Sequence, residues 1–206
     1  MNRPLRCSCE SLWKSYGRKH VLNGCRLNVS AGELVGLVGE NGSGKSTLVR
    51  CLLGFTPPSR GKIWVDPFVG YCPQENYLNN RLLLCEHLAL MSDVYRLNYE
   101  IDASFLRMLI ERLHLETYLR KRIGYLSSGT YQKVKFVTSV AHQPAIVVLD
   151  EPCDGFDWAM YQAFWEIMTA MKSAGNAVLM ISHLLYDREK FDRIYELREG
   201  TCVQTA

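Results

Sequence analysis

A glycine-rich run suited to binding phosphate lies near the beginning of the chain, at residues 39–47. It reads Gly-Glu-Asn-Gly-Ser-Gly-Lys-Ser-Thr and fits the pattern G-x-x-x-x-G-K-S/T between a strand pattern and a helix pattern. Glycines let backbone N–H groups surround phosphate without Cβ clashes, and the following helix turns its positive end toward that charge. Lys45 would bridge the β- and γ-phosphates, and the Ser46 hydroxyl would bind Mg²⁺. The predicted nucleotide-binding residues of this loop are Gly39, Glu40, Asn41, Gly42, Ser43, Gly44, Lys45, Ser46 and Thr47.

Two adjacent acidic residues are the second chemical feature of the sequence. Residues 145–149 are all apolar and predict a buried strand, and Asp150 and Glu151 follow at its carboxyl end. In an open parallel sheet, ligands bind at that end of the strands. Because successive side chains point in opposite directions there, one carboxylate can hold Mg²⁺ while the other orients and deprotonates an attacking water.

The elements that must position these residues follow from the hydrophobic patterns. In the second half of the chain, short apolar strands alternate with helices, which is typical of a parallel sheet covered on both faces. Residues 76–125 instead have helical periodicity. The sequence therefore predicts one α/β domain, with a core lobe at 1–75 and 126–206 and an inserted helical lobe at 76–125. The predicted strands are 5–12, 21–29, 33–38, 62–65, 68–72, 145–149 and 177–181, and the predicted helices include 45–53 and 128–142.

Length and composition exclude several classes of protein. With 206 residues, of which 48% are hydrophobic, the chain suits one large domain or one domain with an inserted lobe. The 24 basic and 21 acidic residues give a net charge of +3, which lacks the basic surplus typical of nucleic-acid binders. The longest apolar runs are far shorter than the roughly 18 residues needed to cross a bilayer, and the N-terminus predicts no signal peptide.

The eight cysteines are scattered along the chain, which predicts reduced thiols in a chain of this size without a secretion signal. Cys7 and Cys9 alternate with polar neighbours in the pattern of a half-buried strand. We expect them to be small buried hydrophobes. A metal site is the weaker alternative, because no second Cys/His pair completes a tetrahedral set.

Over essentially its whole length, the sequence resembles the ATP-binding domain of ABC transporters. The phosphate loop and the Asp150–Glu151 pair stand in the family's order, and five further positions match its motifs. Each match is a weak signal when taken singly, but their order and spacing suit the family. These positions are Tyr16 for adenine stacking, Gln74 for sensing γ-phosphate and Mg²⁺, the signature segment 126–130 with Ser127 and Gly129, the D-loop residue Asp157, and the switch residue His183.

The resemblance implies a P-loop NTPase with a small antiparallel β region, an ATP substrate and Mg²⁺. Two such domains would face each other head to tail, with each ATP held between the phosphate loop of one subunit and the signature of the other. Glu151 would then be the catalytic base. The other catalytic residues would be Lys45, Gln74 and His183, and the magnesium ligands would be Ser46, Gln74 and Asp150.

The signature departs from the family pattern at two positions. Ser128 stands where glycine is usual, and Thr130 stands where glutamine is usual. We expect a working signature, since Ser127, Gly129 and the N–H of Ser128 are retained. If position 128 required a left-handed backbone, serine would cost about 1–2 kcal/mol there.

The resemblance also implies partners and a place in the cell. Transmembrane permease subunits and a second ATPase subunit are expected, at the cytoplasmic face of a membrane, and no nucleic acid. Export is favoured because residues 80–97 resemble the Leu-rich segment of drug-export subunits. Tyr77, Leu78 and residues 82–84 are candidate exposed contacts for the membrane partner, with packing inside the helical lobe as the alternative. A soluble ABC ATPase of an assembly system and a catalytically weak gating partner in a heterodimer remain open.

Overall fold

Two sheets and five α-helices make up the part of the chain that the computed structural model describes, residues 3–95, 102–183 and 187–205. The strands are β1 (Leu5–Tyr16), β2 (Lys19–Ser30), β3 (Leu34–Val38), β4 (Arg60–Val65), β5 (Val69–Cys72), β6 (Ile146–Asp150), β7 (Ala177–Ser182), β8 (Arg193–Arg198) and β9 (Thr201–Gln204). The helices are α1 (Lys45–Leu52), α2 (Leu84–Tyr95), α3 (Asp102–Arg112), α4 (Ser128–Val140) and α5 (Trp158–Ser173).

The central sheet has six strands in the order β5-β6-β7-β3-β8-β9. The strands from β5 to β8 in this order pair in parallel, and β9 pairs antiparallel with β8. Every residue of β3 and β6 is buried, as expected for apolar strands covered on both faces. The predicted α/β fold with a mostly parallel core is confirmed.

Alternate side chains of β6 enter different apolar clusters on the two faces of this sheet. Ile146 and Val148 pack with α1 and the antiparallel sheet. Val147 and Leu149 pack with α4 and α5. Because one strand is anchored in both clusters, the position of its last residue, Asp150, is firmly determined.

The second sheet, β2-β1-β4, is antiparallel. Its β1–β2 hairpin closes at Tyr16 and Lys19, so β1 runs past the predicted end at residue 12. The apolar alternation ends at Leu12, whereas the backbone pairing continues to the hairpin turn. Cys7 and Cys9 are buried in this sheet as predicted, and burial raises the pKa of both thiols to about 12. Among the described residues, no cluster of three or more His, Cys, Asp or Glu side chains could hold a metal ion.

The stretch predicted to be helical contains α2 and α3, while its residues 96–101, including the end of the Leu-rich segment, lie outside the described residues. The prediction that Leu78 and Leu84 are exposed contacts is wrong, because only 7% and 0% of their surfaces are exposed. Both leucines pack into the apolar cluster shared with α4. Tyr77 is 44% exposed and remains a candidate contact. In the described ranges, no helix combines the length and apolar character needed to span a membrane.

Candidate active site

The phosphate loop connects the end of β3 to the beginning of α1. Gly42 and Gly44 have φ angles of +82° and +109°, a left-handed backbone that favours glycine. A Cβ at Gly44 would lie 3.1 Å from the carbonyl oxygen of Val21, and one at Gly39 would lie 2.7 Å from that of Leu197. The loop therefore needs glycine both for its backbone conformation and for the close approach of β2 and β8.

Two side chains of the loop, Lys45 and Ser43, have polar atoms placed for phosphate. Lys45 is 9% exposed, and its Nζ donates hydrogen bonds to the carbonyl oxygens of Gly39 at 2.6 Å and Glu40 at 3.1 Å. The buried Ser43 Oγ has no hydrogen-bond partner among the described residues. A buried hydroxyl without a partner is unfavourable, and a phosphate oxygen would supply an acceptor. Together with the glycine cradle, these groups fit a bound nucleotide.

Glu151 follows the last residue of β6 in a constrained conformation. Its φ is +49°, which is uncommon for a residue other than glycine, and its backbone N–H donates to the Ile181 carbonyl at 2.9 Å. The carboxylate Oε1 accepts hydrogen bonds from the backbone N–H of His183 at 2.7 Å and from its Nδ1 at 3.1 Å. Oε2 accepts a hydrogen bond from the Ser182 hydroxyl at 2.8 Å. The carboxylate is thus held in one orientation at the end of β7.

Asp150, the last residue of β6, has a raised pKa. Burial raises its pKa to about 6, and the neighbouring carboxylates of Glu151 and Glu75 add to the increase. The ammonium groups of Lys45 and Lys135 act in the opposite direction. A bound divalent cation would favour the ionised form, so the site fits Mg²⁺ beside the phosphate loop.

These groups line one cleft of about 420 Å³ at the carboxyl edge of the sheet. The cleft brings together the phosphate loop, the two acidic residues and the residues predicted to sense γ-phosphate. Three lining residues, Lys19, Val21 and Asp154, were not predicted as site residues. The predicted residues that line it are Asn41, Gly42, Gly44, Lys45, Ser46, Thr47, Gln74, Asp150, Glu151 and His183.

Other predicted residues lie beside the cleft. Tyr16 is 49% exposed at the hairpin turn, paired with Lys19, which itself lines the cleft. Asp157 caps α5, where its Oδ1 accepts a hydrogen bond from the Met160 N–H at 2.7 Å. It lines a neighbouring cavity together with Trp158. The predicted roles of Tyr16 and Asp157 stay predictions.

The signature segment begins α4 and does not line the cleft. Ser127 is the N-cap, and its Oγ accepts a hydrogen bond from the Thr130 N–H at 3.3 Å and lies 2.9 Å from the Thr130 Oγ1. Ser128 is the first residue of the helix, and its φ is not positive, so serine carries no left-handed strain there. Ser127 and Ser128 are both exposed, which leaves the start of α4 open to another molecule.

Comparison with known proteins decides the family. The family model described as ABC transporter matches residues 22–154, which include the phosphate loop, the signature segment and the Asp150–Glu151 pair. The chain belongs to the ABC transporter family. It is an ABC-type ATPase, and the predicted family is confirmed.

Curated relatives of this ABC ATPase come from different organisms. An uncharacterised ABC transporter ATP-binding protein of Methanocaldococcus jannaschii is 33% identical over 94% of this chain and 74% of its own length. ATP-binding cassette sub-family A member 10 of Homo sapiens is 33% identical over 94% of this chain and 14% of its own length. The Nod factor export ATP-binding protein I of Rhizobium meliloti is 30% identical over 92% of this chain and 61% of its own length. The chain thus spans about three quarters of the first relative and less than two thirds of the other two.

Solved structures confirm the P-loop NTPase fold of an ABC ATPase domain. The structure of an ATP binding subunit of an ABC transporter has a TM-score of 0.93 at 28% identity, covering 98% of this chain and 90% of that chain. A bacterial Atm1-family ABC exporter with ATP bound has a TM-score of 0.83 at 24% identity, and the match covers 100% of this chain and 39% of that chain. At that identity, the second likeness concerns the fold alone.

Proposed function

We propose that this ABC ATPase is the ATP-hydrolysing subunit of an export-type transporter, working with a second ATPase subunit and with membrane-embedded permease subunits. The proposal rests on the separation between the residues for hydrolysis and the signature segment. Lys45, Asp150, Glu151 and His183 share one cleft, while the signature residue Ser127 is exposed outside it. The cleft therefore has the groups for hydrolysis, and the signature is free for the ATP of another subunit.

Different residues of the cleft have different roles in hydrolysis. The amides of the phosphate loop and Lys45 bind the phosphate chain. Glu151 takes the proton of the attacking water, and the hydrogen bonds from His183 and Ser182 keep its carboxylate in place. When bound, Mg²⁺ neutralises charge that develops on the phosphate oxygens. The residues that would hold it are Ser46, Asp150 and Gln74.

A second ATPase subunit would complete each site. The N-terminal end of a helix attracts anions, and α4 begins with the exposed Ser127 cap followed by Gly129. Because this end lies outside the cleft of its own chain, it would contact the γ-phosphate of ATP held by the other subunit. Asp157 would lie at the same subunit interface, and Tyr16 would stack on adenine.

Export is supported by the name of one relative, the Nod factor export ATP-binding protein I of Rhizobium meliloti. The permease would contact the surface beside Gln74, where Tyr77 is exposed, on the cytoplasmic face of the membrane.

Trapping the ATP-bound dimer tests this proposal. Glu151→Gln keeps the shape of the side chain and removes the base, so with MgATP it should accumulate a dimer in light scattering after size exclusion. The double variant Lys45→Ala/Glu151→Gln, which loses the phosphate-binding ammonium, is the control and should stay monomeric. A monomeric Glu151→Gln protein at saturating MgATP would contradict the scheme.

The membrane partner needs a separate experiment. We expect the tagged chain to co-purify from detergent-solubilised membranes with an integral membrane protein, identified by mass spectrometry. Recovery only with soluble assembly proteins would favour the assembly alternative and overturn the transporter proposal.

A further inference from the structure

Lys135, in the middle of α4, is a lysine with 0% of its surface exposed. Burying an ammonium group is unfavourable unless hydrogen bonds or charges compensate for the lost water. Its Nζ donates a hydrogen bond to the backbone carbonyl of Gln74 at 2.8 Å. Burial lowers the pKa of Lys135, and Cys72, Glu75 and Asp150 act in the opposite direction. The ammonium group of Lys135, whose burial is energetically unfavourable, therefore contacts the segment that follows β5.

Tyr131 contacts the other end of the same segment. It lies four residues before Lys135 on α4, so the two side chains project from one face of the helix. The Tyr131 hydroxyl accepts a hydrogen bond from the backbone N–H of Leu78 at 2.9 Å, and only 9% of its surface is exposed. Segment 74–78, which has no regular secondary structure, is thus bound to α4 at both of its ends.

The strand that leads into this segment is packed closely against the same helix. A Cβ at Gly70 in β5 would lie 2.0 Å from the carbonyl oxygen of Ser139 in α4, so glycine alone permits this approach. The first turn of α4 is capped by Ser127 of the signature. Helix α4 therefore packs against β5, is hydrogen-bonded to segment 74–78 and begins at the signature.

We infer that Tyr131 and Lys135 are positioning residues that clamp segment 74–78 to the signature helix, and so set the place of Gln74 in the cleft. The inference rests on the proposed roles of Gln74 and the signature. Its consequence is that Gln74 in one ATP site and the signature facing the other site move as one body. Neither clamp residue lines the cleft, so each acts through the backbone that it holds.

The clamp has a distinct functional effect because Gln74 is proposed to act only at the γ-phosphate and Mg²⁺. Binding of ADP without Mg²⁺, which depends on the phosphate loop, should be insensitive to the clamp, whereas hydrolysis of MgATP should depend on it. Lys135→Met removes the ammonium at similar length, and Tyr131→Phe removes only the hydroxyl. Val137→Ala is the control, since it shortens a fully buried apolar side chain of α4 that cannot donate or accept a hydrogen bond.

The experiment combines three measurements on each full-length variant: kcat, the affinities for MgATP and for ADP without Mg²⁺, and hydrogen–deuterium exchange of peptides covering residues 74–78. We expect Lys135→Met to lower kcat about 10- to 100-fold, as misplacement of a catalytic group does, with the affinity for metal-free ADP unchanged and exchange at 74–78 increased. Tyr131→Phe should act in the same direction, and Lys135→Arg should restore part of the activity. Val137→Ala should lower thermal stability without changing exchange at 74–78 relative to the rest of the protein.

The inference is overturned if Lys135→Met behaves like Val137→Ala, with lower stability but unchanged kcat and unchanged relative exchange at 74–78. The same measurements on the wild-type protein test the proposed function separately. A wild-type protein that binds MgATP without hydrolysing it would contradict the proposed catalysis, while the exchange data would still decide whether the clamp exists.

Discussion

His183 donates two hydrogen bonds to one carboxylate oxygen of Glu151, from its backbone N–H at 2.7 Å and from Nδ1 at 3.1 Å. The side chain of Glu151 is 9% exposed, whereas that of His183 is 48% exposed, so the imidazole is the solvent-facing member of the pair. A general base must be held within reach of the proton that it accepts. The pair therefore links the orientation of the base to a side chain that faces the cleft.

His183→Ala should lower kcat for ATP hydrolysis about 10- to 100-fold, because the carboxylate of Glu151 keeps the backbone hydrogen bond but loses the imidazole that orients it. The KM for ATP should change little, since the phosphate loop is intact. Steady-state phosphate release measures both parameters. Ser182→Ala removes one hydrogen bond to the carboxylate but leaves both bonds from His183, so it should cost less; an equal or larger loss in Ser182→Ala would contradict the assigned role of His183.

Gly44→Ala should weaken ATP binding, because alanine is strained at φ +109° and its Cβ would lie 3.1 Å from both Cγ1 and the carbonyl oxygen of Val21. The matched control is Gly175→Ala, which has a φ of +93° but open space around the Cβ, far from the phosphate loop. Both variants should lose about 1–2 kcal/mol of unfolding free energy from backbone strain. Nucleotide titration should show weaker binding in Gly44→Ala alone, and equal affinity in the two variants would exclude a special role for the loop conformation.

The sequence was sufficient to predict the features that depend on local patterns. The phosphate loop follows from glycine and lysine at fixed spacing, and β6 follows from five consecutive apolar residues before Asp150. Such features require only neighbours in the chain, so the α/β fold, the phosphate loop and the Asp150–Glu151 pair could be predicted together.

Features that depend on distant contacts were missed or predicted wrongly. The burial of Leu78 and Leu84 depends on a cluster shared with α4, and the sequence shows no sign of which face they take. The contact of Lys135 with Gln74 joins residues 61 positions apart. A lysine among the apolar residues 134–137 was the available signal, but helix periodicity does not identify the partner of a buried charge.

Acid should destabilise the protein partly through His87, which is 6% exposed on α2. Thr138 donates its hydroxyl proton to the Val134 carbonyl, so the His87 Nε2, 3.0 Å from the Thr138 Oγ1, carries a hydrogen and donates it. Burial lowers the pKa of His87 below its ordinary value of 6.5. The unfolded chain therefore binds more protons than the folded one below that pH, and the free energy of unfolding falls as pH decreases through 6.5.

His87→Gln, which keeps a side-chain donor, should reduce this dependence on pH. Urea unfolding at about pH 7.5 and about pH 5.5 gives the difference in unfolding free energy for each protein, and the difference should be smaller in the variant. An identical pH dependence in the two proteins would mean that His87 is as easily protonated in the folded state as in the unfolded chain.

Mixing two inactive variants tests most directly that each ATP site is built from two subunits. Lys45→Ala disables the phosphate loop, and Ser127→Arg blocks the signature, so each variant alone should lack ATP turnover. In a head-to-tail dimer formed from one copy of each, one site carries both defects and the other carries neither. An equal mixture should therefore recover about a quarter of the wild-type rate if the subunits pair at random, and up to about half if only mixed dimers form, since each mixed dimer has one intact site. Full activity of Ser127→Arg alone, or a mixture no more active than its components, would contradict the composite site.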